Sequence, residues 1–315
     1  MIEMEKKEGE AARAAWLYYH EELTQGDIAR ELSVSRSTVT RLLQRAKQDG
    51  LVHVSLNVSA GTFKSERNIE RAFGLERVRI VPAPGDATMQ KRWLGHVAAE
   101  VMTPLMADGA IAAVGWGSTL LAMTTSLTGF SPVTGAQVVP LVGGLHNASV
   151  GTDTNEIAKF VGRHFNAAVR PLLAPIYVED EATALGLAND PGIREALDLA
   201  RKATLVVYSV GALHDDTTMF RLGHVTAAER DFLQSRGAVG DIACRWIDRN
   251  GRSVDMPSSI NPIGISLDEL KRIPRRLAVA GGDMKKDVVL AGLRGGFVTT
   301  LVTDERTADY LLRNR

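Results

Sequence analysis

The chain has 315 residues, is 45% hydrophobic, and carries 37 Lys and Arg against 37 Asp and Glu. That length suits about two domains, each with its own core, and the zero net charge excludes a uniformly basic nucleic-acid coat, so any DNA contact must be a local patch. The single cysteine, Cys244, excludes an intrachain disulfide framework or a cysteine metal cluster; no apolar run nears the roughly 20 residues that span a bilayer.

The start, MIEMEKKEGE, has no signal-peptide core, so a cytoplasmic protein is expected, with Met1 to Gly9 polar and disordered. Ala11 to His20 predicts a helix whose Ala, Trp16, Leu17 and Tyr side chains pack on a helical pair next in the chain. That pair, from Leu23 to Gly50, is two short helices joined by a tight turn. Thr24 caps the first, Gln25 to Leu32, with Ile28, Ala29 and Leu32 on one face. Ser33-Val34-Ser35 makes the turn, with Val34 as the plug. Ser35 caps the second helix, Arg36 to Gln48, buried along Val39, Leu42 and Leu43, and Gly50 stops it.

The other face of that second helix carries Arg36, Ser37, Thr38, Thr40, Arg41, Arg45 and Lys47, none of them acidic. A helix fits the major groove with its first turns at the base edges. Arg36, Ser37, Thr40 and Arg41 stand where bases are read; Arg45 and Lys47 suit phosphates, which position without reading sequence. Thr24, Gln25 and Ser35 complete the expected DNA-contacting set. The alternating stretch Leu51 to Val58, with His53 on its polar side, predicts a strand that makes the module winged. Phe63 to Phe73 predicts a charged linker helix. The expected organisation is a DNA-binding domain over 1–58, a linker helix over 59–75 and a second domain over 76–315.

From Glu76 strands alternate with helices. Strands are expected at Arg77–Val81, Ala110–Val114, Gln137–Leu141, Arg170–Ala174, Leu205–Val210, Ile242–Ile247, Leu277–Ala280 and Phe297–Thr303. Helices are expected at Thr88–Met106, after the turn Gly115-Trp116-Gly117-Ser118-Thr119 through Leu127, at Asp153–Phe165, in an Ala- and Leu-rich stretch to Ala200, and at Val225–Ser235, Lys285–Leu293 and Asp304–Leu312. This order predicts a doubly wound, mostly parallel α/β sheet. Ligands of such sheets sit at the carboxyl ends of strands where strand order reverses. Four glycine turns fall at strand ends: Gly115-Trp116-Gly117-Ser118-Thr119, Val142-Gly143-Gly144, Gly211 and Gly281-Gly282. Glycine admits close backbone approach, and a following helix offers amides to an anion. The pattern is neither a Walker loop nor GxGxxG. Lys285 can neutralise a phosphate or, with a lowered pKa, form a Schiff base. Asp241 can accept from sugar hydroxyls. Asn155 is a cap or a ligand contact, and His146 is the one histidine in a glycine-rich loop. The pairs Glu179/Asp180 and Asp215/Asp216 are expected in solvated loops, and the histidines lack metal spacing.

AARAAWLYYHEELTQGDIARELSVSRSTVTRLL, AVGWGSTL, VPLVGGL, GAVGDI and AGGDMKKDVVLAGLRGGFVTTLVTDERTADYLL together resemble the SorC/DeoR-type sugar-binding transcriptional regulators of bacteria, over nearly the whole chain. The resemblance implies an effector domain similar in fold to sugar-phosphate isomerases and glucosamine-phosphate deaminases. It implies a tetramer whose hold on operator DNA responds to a phosphorylated sugar or polyol. It places effector contacts on Gly117, Ser118, Thr119, Gly143, Gly144, Asn155, Asp241 and Lys285, beside Gly115 and His146 from the turns. His146-Asn147-Ala148-Ser149, where some relatives carry a lysine, argues against covalent capture at that loop. A DNA-binding regulator of a sugar or polyol catabolic operon, repressor or activator, is therefore expected, with no cofactor, metal or membrane partner. The alternative is a sugar-phosphate isomerase-like enzyme with a DNA-binding appendage, for which no acid/base pair is visible.

Overall fold

The computed structural model describes residues 2–21, 23–48, 51, 60–145 and 151–315. Its contacts divide the chain into Met1–Asn57 and Val58–Arg315.

The first unit holds α1 (Ile2–Tyr19), α2 (Gln25–Glu31) and α3 (Arg36–Gln48). The expectation of disorder over Met1 to Gly9 is corrected from Ile2 onward: α1 starts there, in a run of Glu, Lys and Ala that favours helix. Ala11, Ala14, Ala15 and Leu17 of α1 close a core with Ile28, Ala29, Val39, Leu43 and Ala46. Small alanines on α1 leave room for the larger side chains opposite. Leu42 and Val34 are half-buried against this core. Trp16 and Tyr19 do not pack inward as expected, being 52% and 41% exposed; Trp16 stacks on His20 instead, with ring centroids 5.0 Å apart. Gly50 and, beyond Leu51, the predicted wing strand with His53 lie outside the described residues.

The second unit opens with α4 (Ala60–Phe73), β1 (Arg77–Val81), α5 (Ala87–Met102), β2 (Ile111–Val114), α6 (Ser118–Ser126), β3 (Gln137–Pro140) and α7 (Thr154–Phe165). Then come β4 (Ala168–Val169), β5 (Tyr177–Val178), α8 (Glu181–Asn189), α9 (Pro191–Arg201), β6 (Leu205–Tyr208), β7 (Val210–Ala212), α10 (Thr218–Arg221) and α11 (Ala227–Ser235). The chain ends through β8 (Ala238–Ile242), β9 (Arg245–Asp248), β10 (Asn261–Pro262), α12 (Leu267–Arg272), β11 (Arg275–Val279), α13 (Lys286–Arg294), β12 (Thr300–Asp304) and α14 (Glu305–Arg313).

Seven strands form one sheet in the order β1-β12-β11-β6-β2-β3-β4, and every neighbouring pair is parallel. β6 and β12 are buried at every residue, as expected of strands covered on both faces. From β2 the chain winds through β3 to β4; from β6 it winds the other way through β11 to β12. The order reverses between β2 and β6, which opens a crevice at their carboxyl ends.

Three expected elements differ. The strand Ile242–Ile247 is a hairpin of β8 and β9, turning at Ala243 (φ 50°) and Cys244 (φ 63°). Two successive positive φ values make the tight hairpin turn whose usual sequence signal is Asn-Gly. Ala-Cys gives no such signal; the Asp241 carboxylate supports the turn by accepting the Cys244 amide at 3.0 Å. The strand Arg170–Ala174 is replaced by the earlier two-residue β4, because Pro171 has no amide for a ladder. The stretch before Ala200 is β5 followed by two helices that meet at Asp190-Pro191. Near its start, Asp180 caps α8 through the Thr183 amide, a role beyond the solvated loop expected of it.

The charged linker helix is not simply a solvated rod. As the edge strand, β1 has amides that the sheet leaves unpaired. Glu70 accepts from the Val78 amide at 2.8 Å and Glu66 from the Ile80 amide at 2.9 Å. Glu66 is buried, and loss of water raises its pKa. Ile69, between them, is fully buried.

Candidate DNA-reading surface and effector cleft

In the first unit a capping box starts α2: the Thr24 side chain accepts the Asp27 amide at 3.3 Å while Asp27 accepts the Thr24 amide at 3.3 Å. Asp27 is further held by the Thr24 hydroxyl and by Arg30. Ser33 takes the left-handed conformation at φ 53°, and the Val34 amide bonds to Ala29 O at 3.0 Å. The Ser35 hydroxyl accepts the Thr38 amide at 3.1 Å and lies 2.8 Å from Ser37 Oγ. Thr40 donates to Gln25 Oε1 at 3.1 Å, a cross-link from α3 to α2 that presents both residues together. Thr24, Gln25 and Ser35 therefore orient α3 as well as border it.

Arg36, Ser37, Thr40 and Arg41 are exposed, and Thr38 and Arg45 half-buried. Neither Arg36 nor Arg41 forms an ion pair with a described residue. Lys47 lies within α3, but its side chain is outside the described part. The Arg36 and Arg41 guanidinium groups therefore stand on the exposed face of α3 without an ion-pair partner among the described residues.

In the second unit Gly115, Gly117, Ser118 and Thr119 follow the carboxyl end of β2, and Lys285 meets Ser209 at the carboxyl end of β6. Gly115 follows β2, buried, its amide on Val207 O at 2.9 Å. A Cβ there would meet the Tyr208 Cβ at 3.3 Å, so glycine keeps the two strands together. Gly117 (φ 111°) is the residue before α6. Ser118 and Thr119 begin α6, Ser118 exposed and Thr119 buried. The helix has no side-chain cap, and its first-turn amides have no intrahelical acceptor.

Across the crevice stands Lys285, half-buried, donating to Ser209 Oγ at 3.2 Å. Desolvation lowers its pKa to about 8, with Lys91 pushing the same way and Asp241 opposing. Asp241 is 4% exposed. Its Oδ2 accepts the Cys244 amide, while Oδ1 is buried with no partner among the described residues. Desolvation raises its pKa to about 6, partly offset by the Cys244 amide and the Lys285 charge.

Gly143 and Gly144 correct one expectation. Their amides are not free for an anion: they donate to Ile263 O and Ala174 O, both at 2.8 Å. A Cβ at Gly143 would lie 2.2 Å from Pro175 O, so this glycine permits close chain packing. Asn155 likewise pairs in both directions with the Leu172 backbone, at 3.0 and 3.2 Å; the cap of α7 is Asp153. His146 lies outside the described residues.

Three residues of the cleft were not expected from the sequence: Ser209, Lys91 and Asp304. Asp304 is fully buried, caps α14 through Thr307 and accepts the Gly282 amide at 2.5 Å, holding the turn that carries Lys285. Its signal was present: an Asp three residues before Thr, opening an amphipathic run. Ser209 and Lys91 had none, since only the strand order brings them to Lys285.

Fold and site define a two-part regulator, a helix-turn-helix DNA reader joined to a sugar-binding α/β domain. Residues 59–313 match the family described as "Putative sugar-binding domain", and residues 14–59 match the MarR family. The chain is 33% identical over 314 residues to the transcriptional regulator LsrR of Escherichia coli O139:H28, covering 98% of this chain and 96% of that one. It is 32% identical over 305 residues to LsrR of Enterobacter sp. strain 638, covering 96% and 92%. The full-length sorbitol operon regulator SorC of Klebsiella pneumoniae shares the fold with a TM-score of 0.74 at 24% identity, over 96% of this chain and 98% of that one. A transcriptional regulator from Streptococcus pneumoniae TIGR4 matches with a TM-score of 0.74 at 27% identity, over 81% and 97%. The chain belongs to this family of sugar-binding transcriptional regulators. No helix among the described residues is long and apolar enough to cross a membrane.

Proposed function

We propose that the chain controls a sugar or polyol catabolic operon in the cytoplasm, and that a phosphorylated sugar-type effector bound in the β2–β6 crevice sets its hold on operator DNA. The observation that carries this reading is Asp241: a buried carboxylate oxygen without a partner among the described residues, within electrostatic reach of the Lys285 cation. A sugar hydroxyl satisfies the first, and a phosphate satisfies the second together with the Ser118 and Thr119 amides and hydroxyls at the α6 start. Gly115 and Gly117 let the chain approach that phosphate; Gly143, Gly144 and Asn155 hold the neighbouring wall, and His146 belongs to the loop beyond it. Arg36 and Arg41 read bases, and Arg45 and Lys47 hold phosphates. The working form is a homo-oligomer, because one reader buries little surface and paired readers take two half-sites; the family resemblance implies a tetramer. The effector acts through unequal affinity for two assembly states.

The test is a thermal-shift screen of the full chain against phosphorylated sugars and polyols, with their unphosphorylated parents as controls. A true effector at about a hundred times its dissociation constant adds roughly 2.7 kcal/mol. Gel shifts with and without the hit then show the change in operator affinity. No stabilisation by any phosphorylated compound would reject the reading.

One observation favours a second reading. Asp241 and Lys285, with pKa values moved to about 6 and about 8, form the kind of tuned pair that isomerisation needs. Multiple turnover of a bound sugar phosphate, lost in Asp241→Asn, would establish that activity.

A further inference from the structure

A cavity of about 340 Å³ lies beneath α8, away from the strand-end crevice, and none of Ser118, Thr119, Asp241 or Lys285 lines it. Most of its wall is apolar: Ala184, Leu185 and Ala188 of α8, with Leu197, Met256 and Ile263 opposite. α8 buries none of its residues, and Leu185 is 57% exposed.

Arg245 enters this apolar wall from the start of β9. Its Nη2 donates to Pro262 O at 3.3 Å and Gly264 O at 3.2 Å. Its Nε is buried without an acceptor, and Nη1 has no partner among the described residues. No carboxylate among the described residues lies within ion-pair distance. The second guanidinium on the wall, Arg201, is taken by Glu269 at 2.7 Å and Asp198 at 2.8 Å. The one carboxylate lining the cavity among the described residues, Glu181, is exposed. Two carbonyls need only a neutral donor, so tying down Pro262 and Gly264 does not account for a charge that is half-buried and disfavoured by that burial. Glu269 acts on this charge only from beyond ion-pair distance, and a partly desolvated charge with no counter-ion in contact is costly.

We infer that this cavity is a second ligand site, for a small molecule with one carboxylate and a short aliphatic body, the carboxylate seated on Arg245. A single unpaired guanidinium balances a monoanion, whereas a phosphate dianion would keep half its charge uncompensated. The volume is at the lower end for small-ligand sites, which limits the body to a few carbons. This site is independent of the proposed effector crevice.

Hexanoate, butyrate, hexanol and inorganic phosphate are titrated calorimetrically into the full chain. Hexanoate binds saturably, one per chain, about tenfold tighter than butyrate for its two extra buried methylenes. Hexanol and phosphate bind at least about tenfold more weakly than hexanoate, lacking the charge or the apolar fit. Arg245→Met abolishes hexanoate binding. Because that change also frees two carbonyls, a second variant, Ala184→Leu with Ala188→Leu, fills the cavity and keeps Arg245; it too loses binding. Lys285→Ala binds hexanoate as the parent does. The inference is overturned if hexanoate fails to bind the parent saturably, if the filled variant binds it unchanged, or if Lys285→Ala abolishes binding, which would assign the ligand to the crevice.

Discussion

Gly211 and Asp241 pair directly across β7 and β8, and a Cβ at Gly211 would stand 1.9 Å from Asp241 Oδ1. The carboxylate fills the space that any other residue at 211 would occupy. Gly211→Ala must therefore push Asp241 off its position or break the strand pair. The expected loss is about 1–3 kcal/mol of stability, as for overpacking a core, together with the effector response. Urea unfolding and the thermal shift on the same sample check it; an alanine variant with parental stability and response would contradict this placement.

The pKa displacements at the crevice set a pH window. Burial raises Asp241 to about 6 from its ordinary 3.8, so the stability it contributes is full below about pH 4 and lost as pH rises through about 6. Asp241→Asn should flatten that part of the stability profile. Binding has two limbs. A hydroxyl-accepting Asp241 must be ionised, so affinity rises through about pH 6, where the second phosphate ionisation also falls. The Lys285 ammonium is lost through about pH 8, so affinity falls above it. Calorimetry from pH 5 to 9 should give a maximum between these values, and Lys285→Met should remove the alkaline limb.

On the DNA side, Arg36→Ala and Arg41→Ala should each cost about 1–3 kcal/mol at the native operator and relax base preference. Arg45→Ala should weaken all sequences alike and reduce the salt slope by about one. Competition binding at several salt concentrations separates the two patterns. Uniform weakening by all three variants would reassign Arg36 and Arg41 to phosphates.

The β1 edge offers a stability test away from both sites. Glu66→Ala leaves the Ile80 amide buried without an acceptor, an expected loss of about 1–3 kcal/mol. Glu66→Gln keeps an acceptor and removes a desolvated charge, so it should stay near the parent. Chemical denaturation of both variants decides between capping of the edge and a merely solvated glutamate.

The helix-turn-helix was legible in the amino-acid order because its signals are local. Thr24 and Ser35 cap, Ile28, Ala29 and Val39 repeat at helical spacing, and the basic face of α3 lies within 13 residues. The buried strands were legible for the same reason, as short apolar runs between glycine turns. The candidate effector contacts were legible only as residue types at strand ends. Their meeting depended on strand order: β6 beside β2 sets Gly115 against Tyr208, and Lys285 reaches Ser209 across 76 residues of chain. No sequence window contains such a pair. The tertiary structure also decided which amides stay free, closing those of Gly143 and Gly144 against neighbouring carbonyls. It turned Ala243 and Cys244 into a hairpin, because the Asp241 carboxylate supports a conformation that neither residue favours alone. Local sequence carries propensity and period; long-range packing determines which polar groups are left for a ligand.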